Sequence, residues 1–119
     1  MADQFDSYAQ SKLALTMWTF AMAQTLRHAG PVLIALNPGS LLASKMVREG
    51  FGIAGKSLTI GANIIVKAAL ADEFAAASGR YFDNDSERFA APHRDALDAA
   101  KCKAVVATLE ATLQRLLTV

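Results

Sequence analysis

Residues 8–27, YAQSKLALTMWTFAMAQTLR, contain neither glycine nor proline and are rich in Ala, Leu and Met, which predicts one long helix. Its large apolar side chains, Leu13, Leu15, Met17, Trp18, Phe20, Met22 and Leu26, fall on almost every face. A helix apolar all round needs other elements to cover it. At 119 residues the chain is a single domain at most, and small domains bury a smaller fraction of their surface than large ones. With 53% hydrophobic residues, it is expected to leave an apolar face for a second copy or another partner.

His28-Ala29-Gly30-Pro31 ends that helix, with Gly30 in the usual post-helix position. Val32 to Leu36 is a continuous apolar run and predicts a strand buried on both faces, closed by Asn37-Pro38-Gly39. Residues 40–50, SLLASKMVREG, can hold a short helix. A second long helical stretch runs from Lys56 to Phe74. SGRYFDND, residues 78–85, reads as another short strand ending in a turn. The last helix is expected from about Asp95 to Leu117, with a core stripe at Leu97, Val105, Leu109, Leu113 and Leu116. This alternation is an α/β order, about two parallel strands with three long helices.

A net charge of +1 creates no field that points to nucleic acid or an anionic membrane. The longest apolar run, Leu13 to Ala23, is short of the ~20 residues that cross a bilayer. No signal peptide is evident in the polar start, and the lone Cys102 cannot form an intrachain disulfide, so a cytoplasmic protein is expected. His28, His93 and Cys102 have none of the usual metal-ligand spacings, and no metal site is expected.

Residues 50–57, GFGIAGKS, match both the phosphate loop of nucleotide triphosphatases and the G-x-G-x-x-G dinucleotide fingerprint. Either motif must leave a buried strand and enter a helix, so that backbone N–H groups and the helix dipole face the phosphates. Met46 to Glu49, just upstream, do not make a buried strand. The expected reading is a glycine-rich surface loop.

Tyr8 and Lys12 offer different chemistry. Four residues apart on a helix, they share one face. A phenol ionises near pH 10, and a neighbouring lysine cation favours the phenolate, which equips tyrosine as a general acid or base.

Tyr8-x-x-x-Lys12, the preceding Ser11, the long helix, the apolar strand and then Asn37-Pro38-Gly39 together resemble the short-chain dehydrogenase/reductase family, closest in style to its retinol-dehydrogenase-like branch. The resemblance implies that Tyr8 is the catalytic acid/base and that Lys12 tunes it and contacts the nicotinamide ribose. It also implies that Pro38 and Gly39 contact the nicotinamide end of NAD or NADP, with Ser44 at the carboxamide. It covers only the family's C-terminal half, so residues 1–119 read as one partial domain, the helix-rich half of a Rossmann-like doubly wound fold. The glycine-rich cofactor loop, the residue that selects NAD or NADP and the catalytic serine have no counterparts here. GFGIAGKS falls in the family's variable substrate-lid region. Two functions follow. One is a dehydrogenase half completed by a separate N-terminal half; the other is an inactive self-association module. A homo-oligomer, a dimer above all, is expected in both.

Because Gly50 follows no strand, Lys56→Ala is expected to leave ATP and GTP affinity unchanged, with none to lose. Calorimetric binding of ATP at micromolar strength, abolished by that substitution, contradicts this.

Overall fold

The computed structural model describes residues 3–27, 29–40, 42, 49 and 54–118. The helix expected in residues 40–50, Ser44, His28 and the glycine-rich residues 50–53 lie outside them, apart from Ser40, Leu42 and Glu49.

Helix α1 spans Gln4–Leu26. The Asp3 carboxylate starts it by accepting the Asp6 N–H at 2.8 Å, satisfying one of the orphan donors of the first turn. Arg27 ends it, in place of the expected Gly30. Its φ of 36° turns the backbone out of the helix while its N–H still bonds the Ala23 carbonyl.

The sheet has three strands, β1 (Ala35–Asn37), β2 (Tyr81–Asp83) and β3 (Arg88–Ala90), in the order β1-β2-β3. β1 and β2 run parallel, with Ala35 beside Tyr81, Leu36 beside Phe82 and Asn37 beside Asp83. β3 is antiparallel to β2. This third strand corrects the expectation of about two parallel strands. SGRYFDND is the first arm of a hairpin whose return arm, Arg88-Phe89-Ala90, is too short to announce itself by alternation. The first strand is also shifted. Val32 is exposed, and Leu33 bonds the turn before β2, giving its carbonyl to the Gly79 N–H and its N–H to the Ser78 hydroxyl. Ladder pairing begins only where β2 offers partners.

Side chains alternate across a strand, so Leu36, Phe82 and Phe89 share one sheet face. There they meet Ile64, from helix α2 (Leu58–Leu70), and Phe74. Phe74, Phe82 and Phe89 form a closed triangle of rings with centroids 5.1–5.2 Å apart, all tilted or edge-on, as ring quadrupoles favour. α2 ends at Ala71, whose extended backbone breaks the expected continuous helix and starts a 3-10 turn, Asp72–Phe74, that carries Phe74 inward.

A second core joins α1 to helix α3 (Ala99–Leu117), through Met17, Ala96 and Cys102 with Leu13, Phe20 and Val105 around them. Asp98 caps α3 by accepting the Lys101 N–H, and the segment before it is a separate 3-10 turn, Arg94–Leu97. Of the expected stripe, Val105 alone packs on this core; Leu97, Leu109, Leu113 and Leu116 are exposed. The periodicity is real, but among the described residues only the N-terminal part of α3 meets α1. Cys102 is buried, its thiol donating to the Ala96 carbonyl.

Phe74 is 1% exposed and touches both other rings, so Phe74→Ala is expected to cost about 3–5 kcal/mol in urea unfolding. Leu70→Ala, at a position 79% exposed, is expected to stay within about 0.5 kcal/mol. Equal losses from the two would contradict this placement of the core.

Candidate active site

Tyr8 and Lys12 lie on the first half of α1, where the helical repeat stacks residues four apart. The Lys12 ammonium sits over the Tyr8 ring, 5.5 Å from its centroid, within the range of a cation–π contact. Around them the helix is bound to itself: the Ser11 hydroxyl donates to the Tyr8 carbonyl and the Thr16 hydroxyl to the Lys12 carbonyl. Tyr8 is half exposed.

Both side chains face a cleft of about 680 Å3 between α1 and the β1 segment, which Trp18, Asn37, Pro38 and Tyr81 also line. Lys12, Thr16 and Tyr81 border a second hollow of about 450 Å3, whose far wall is Pro92 and His93. Lys12 and Tyr81 thus form a ridge between two concavities. Tyr81 reaches it because it lies beside Ala35 in the parallel register, on the sheet face opposite the phenylalanine triangle. Burial, then the charges of Asp83 and Asp85, push its phenol above the ordinary value.

The chain leaving β1 carries Pro38 and Gly39. Gly39 has a φ of +141°, where a side chain is disfavoured, and a Cβ there would lie 3.0 Å from Leu42. Gly61 of α2 is the other glycine that proximity demands, since a Cβ on it would come within 2.6 Å of Leu42 and 3.7 Å of Pro38. The absence of a side chain lets α2 approach this segment.

The turn joining β2 to β3 holds the same segment by hydrogen bonds. The Asn37 side-chain amide donates to Asp83 at 2.9 Å and to Asp85 at 3.0 Å, and its oxygen accepts the Gly39 N–H. Asn84 donates its N–H to the Asn37 carbonyl and its side-chain amide to the Pro38 carbonyl. Asp85 accepts both the N–H and the hydroxyl of Ser40. Chiefly through those Ser40 bonds, the Asp85 carboxyl is lowered to about 2, with lesser help from Asn37 and Lys56 and against the effect of burial. Asp83 is lowered foremost by the Ser86 hydroxyl.

Of the residues singled out from the sequence, Tyr8, Lys12 and Pro38 meet at one cleft and Gly39 follows directly in the chain. Ser44 lies outside the described residues. The end of the glycine-rich stretch has other duties: Lys56 pairs with Asp85 at 3.7 Å, and Ser57 caps α2. His93 is exposed, and its ring nitrogen accepts the Asp95 N–H. Among the described residues no group of His, Cys, Asp and Glu is arranged to hold a metal, and no helix is long and apolar enough to cross a membrane. Tyr81, Trp18, Asn37 and the Asp83–Asp85 turn were given no site role from the sequence. The signal for the turn was the DND cluster after an apolar pair, an ordinary turn by composition.

The chain is similar to human Retinol dehydrogenase 13, with 28% identity over 109 residues, covering 80% of this chain and 33% of that protein. The chain therefore spans about a third of the length of the curated relative it matches. The likeness supports a general relationship to short-chain dehydrogenase/reductase oxidoreductases and nothing finer. No protein-family model and no solved structure matches.

Asp85 is held below the unfolded value of about 3.9, so the unfolded chain binds more protons between about pH 4 and pH 2. The stability that Asp85 contributes is present above pH 4 and is lost as pH falls through about 2. We expect the stability of Asp85→Asn to fall less steeply over that range than that of the unsubstituted chain, measured by urea unfolding at stepped pH. Parallel profiles would contradict the assignment.

Proposed function

We propose that the chain is the acid/base and nicotinamide-side part of a short-chain dehydrogenase/reductase with a Rossmann-like sheet, completed by further polypeptide that carries the dinucleotide's other contacts. The observation that supports it most is that Tyr8 and Lys12 of one motif and Pro38 of another border one cleft. The donor set suits a nicotinamide riboside: an ammonium and two phenols along an otherwise largely apolar wall. Lys12, Pro38, Gly39 and Ser44 would hold that group, which when bound gives or takes the hydride. Tyr8 handles the proton, taking it from a substrate hydroxyl in oxidation and returning it to a carbonyl oxygen in reduction. Lys12 stands over the phenol ring and would contact the ribose. Whether the dinucleotide is NAD or NADP depends on the part of the site this chain does not contribute.

With only the nicotinamide end contacted, NADPH is expected to bind the chain at millimolar strength at best. In an amide-resolved NMR titration the shifts should centre on Gly39 and on α1 around Lys12, and Lys12→Ala should remove them. Micromolar binding, or shifts centred elsewhere, would count against the reading.

The second reading, a self-association module without catalysis, draws on the exposed apolar side chains Leu109, Leu113, Leu116 and Leu117 of α3 and Leu15 of α1. At roughly 25 cal/mol per Å2, a few hundred Å2 of such surface is worth several kcal/mol, comparable to the whole stability of a small domain. A two-fold dimer is the simplest cover. Sedimentation at low micromolar concentration is expected to show a dimer; a monomer with a cooperative thermal transition would overturn this expectation.

A further inference from the structure

We propose that Asp85 is a positioning residue, which sets the backbone of Asn37-Pro38-Gly39-Ser40 against the cleft of Tyr8 and Lys12. The meaning of that position for a nicotinamide rests on the oxidoreductase reading above; the clamp itself does not.

The argument starts from the donor count. An ionised carboxylate only accepts hydrogen bonds, through two oxygens with about four lone-pair sites. At Asp85 four donors converge: the Ser40 N–H at 2.9 Å, the Ser40 hydroxyl, the Asn37 side-chain amide at 3.0 Å and the Lys56 ammonium at 3.7 Å. Nothing in this set requires a ligand, and the carboxylate is fully employed within the chain. Its neighbours extend the grip one residue at a time. Asp83 accepts from the Asn37 side chain, and Asn84 donates to the carbonyls of Asn37 and Pro38. Three successive turn residues therefore hold successive pieces of the segment that leaves β1.

Such a clamp is needed because the segment has no ladder to hold it. β1 ends at Asn37, and Gly39 adopts a φ that most residues avoid and that glycine leaves loose in solution. Pro38 lines the cleft, so any slack in Asn37–Ser40 displaces the wall opposite Lys12. Charged acceptors make shorter and stronger bonds than neutral ones, which suits Asp85 for the most heavily shared position. Asparagine there would present one acceptor oxygen and an NH2 group, and the NH2 would face the Ser40 N–H or the Asn37 amide, neither of which can accept. Asp85→Asn is isosteric yet breaks the clamp.

The test uses the 119-residue chain and amide hydrogen exchange by NMR. In Asp85→Asn and Asp85→Ala, exchange of the Ser40 amide is expected to rise at least tenfold, with the amides of Met17 and Cys102 unchanged. Unchanged Ser40 exchange overturns the clamp whatever NADPH does. Should the Asp85 variants fail to fold, Ser40→Ala removes one hydroxyl alone. The Asp85 carboxyl, followed by 13C NMR, should then titrate clearly higher than in the unsubstituted chain, and an unmoved titration overturns the clamp equally. The positioning role is read with millimolar NADPH. In Asp85→Asn, or in Ser40→Ala where the Asp85 variants do not fold, the shift at the Gly39 amide should fall severalfold while shifts on α1 near Lys12 persist. A Gly39 response equal to that of the unsubstituted chain overturns the role. No response to NADPH anywhere in the unsubstituted chain overturns the positioning role and leaves the exchange result standing as evidence for the clamp, whereas micromolar binding or shifts centred elsewhere overturn the oxidoreductase reading.

Discussion

The parallel pairing of β1 with β2 is the constraint on which the remainder rests. Each strand has three residues, yet their register decides what lies at both ends of the sheet. At one end Ala35 stands beside Tyr81, which brings a phenol to the cleft under α1. At the other Asn37 stands beside Asp83, so the chain leaving β1 emerges next to the β2–β3 turn. A slip of β1 by one residue would turn Leu36 away from the core that Phe82 faces and move Asn37 off Asp83. The residues concerned are more than forty positions apart, so the pairing must also repay the chain entropy of closing that loop.

Two separate cores offset that cost. The triangle of Phe74, Phe82 and Phe89 locks the sheet to α2 and takes in Leu36, which fixes the face on which β1 lies. Arg80 adds its guanidinium 4.0 Å from the centroid of the Phe89 ring at the outer edge. The second core, around Met17, Ala96 and Cys102, fixes α1 to the N-terminal part of α3. Tyr8 and Lys12 sit on α1 beyond this second core, while Pro38 and Gly39 sit beyond the first. The cleft lies between these two cores, and its shape depends on both.

The polar chemistry follows the same division. Asp85 and Asp83 are lowered by bonds to the β1 segment and to their own turn, whereas Asp95 is lowered chiefly by its bond to Lys101 and belongs to the α3 entrance. Cys102, in the core between α1 and α3, has its thiol raised mainly by burial.

Local sequence was sufficient for the elements whose signals are local. The glycine- and proline-free run of α1, the helical composition of α2 and α3, and the approximate place of two strands follow from propensity and period. So does the shared face of Tyr8 and Lys12, because a spacing of four is a property of the helix and not of its surroundings. The resemblance of ordered motifs drew Pro38 and Gly39 towards the same site. Helix ends were less legible, since Arg27, Ala71 and Asp98 terminate or begin elements through backbone angles and caps. The stripe of α3 misled because period reports that a helix has an apolar face without saying what covers it. Strand β3, the register of β1 on β2, Tyr81 in the cleft and the grip of Asp85 on Ser40 were decided only by tertiary structure. β3 is a local hairpin arm too short to show a period; the other three join residues far apart in the chain, and no local propensity encodes a hydrogen bond whose donor and acceptor are forty-five positions apart.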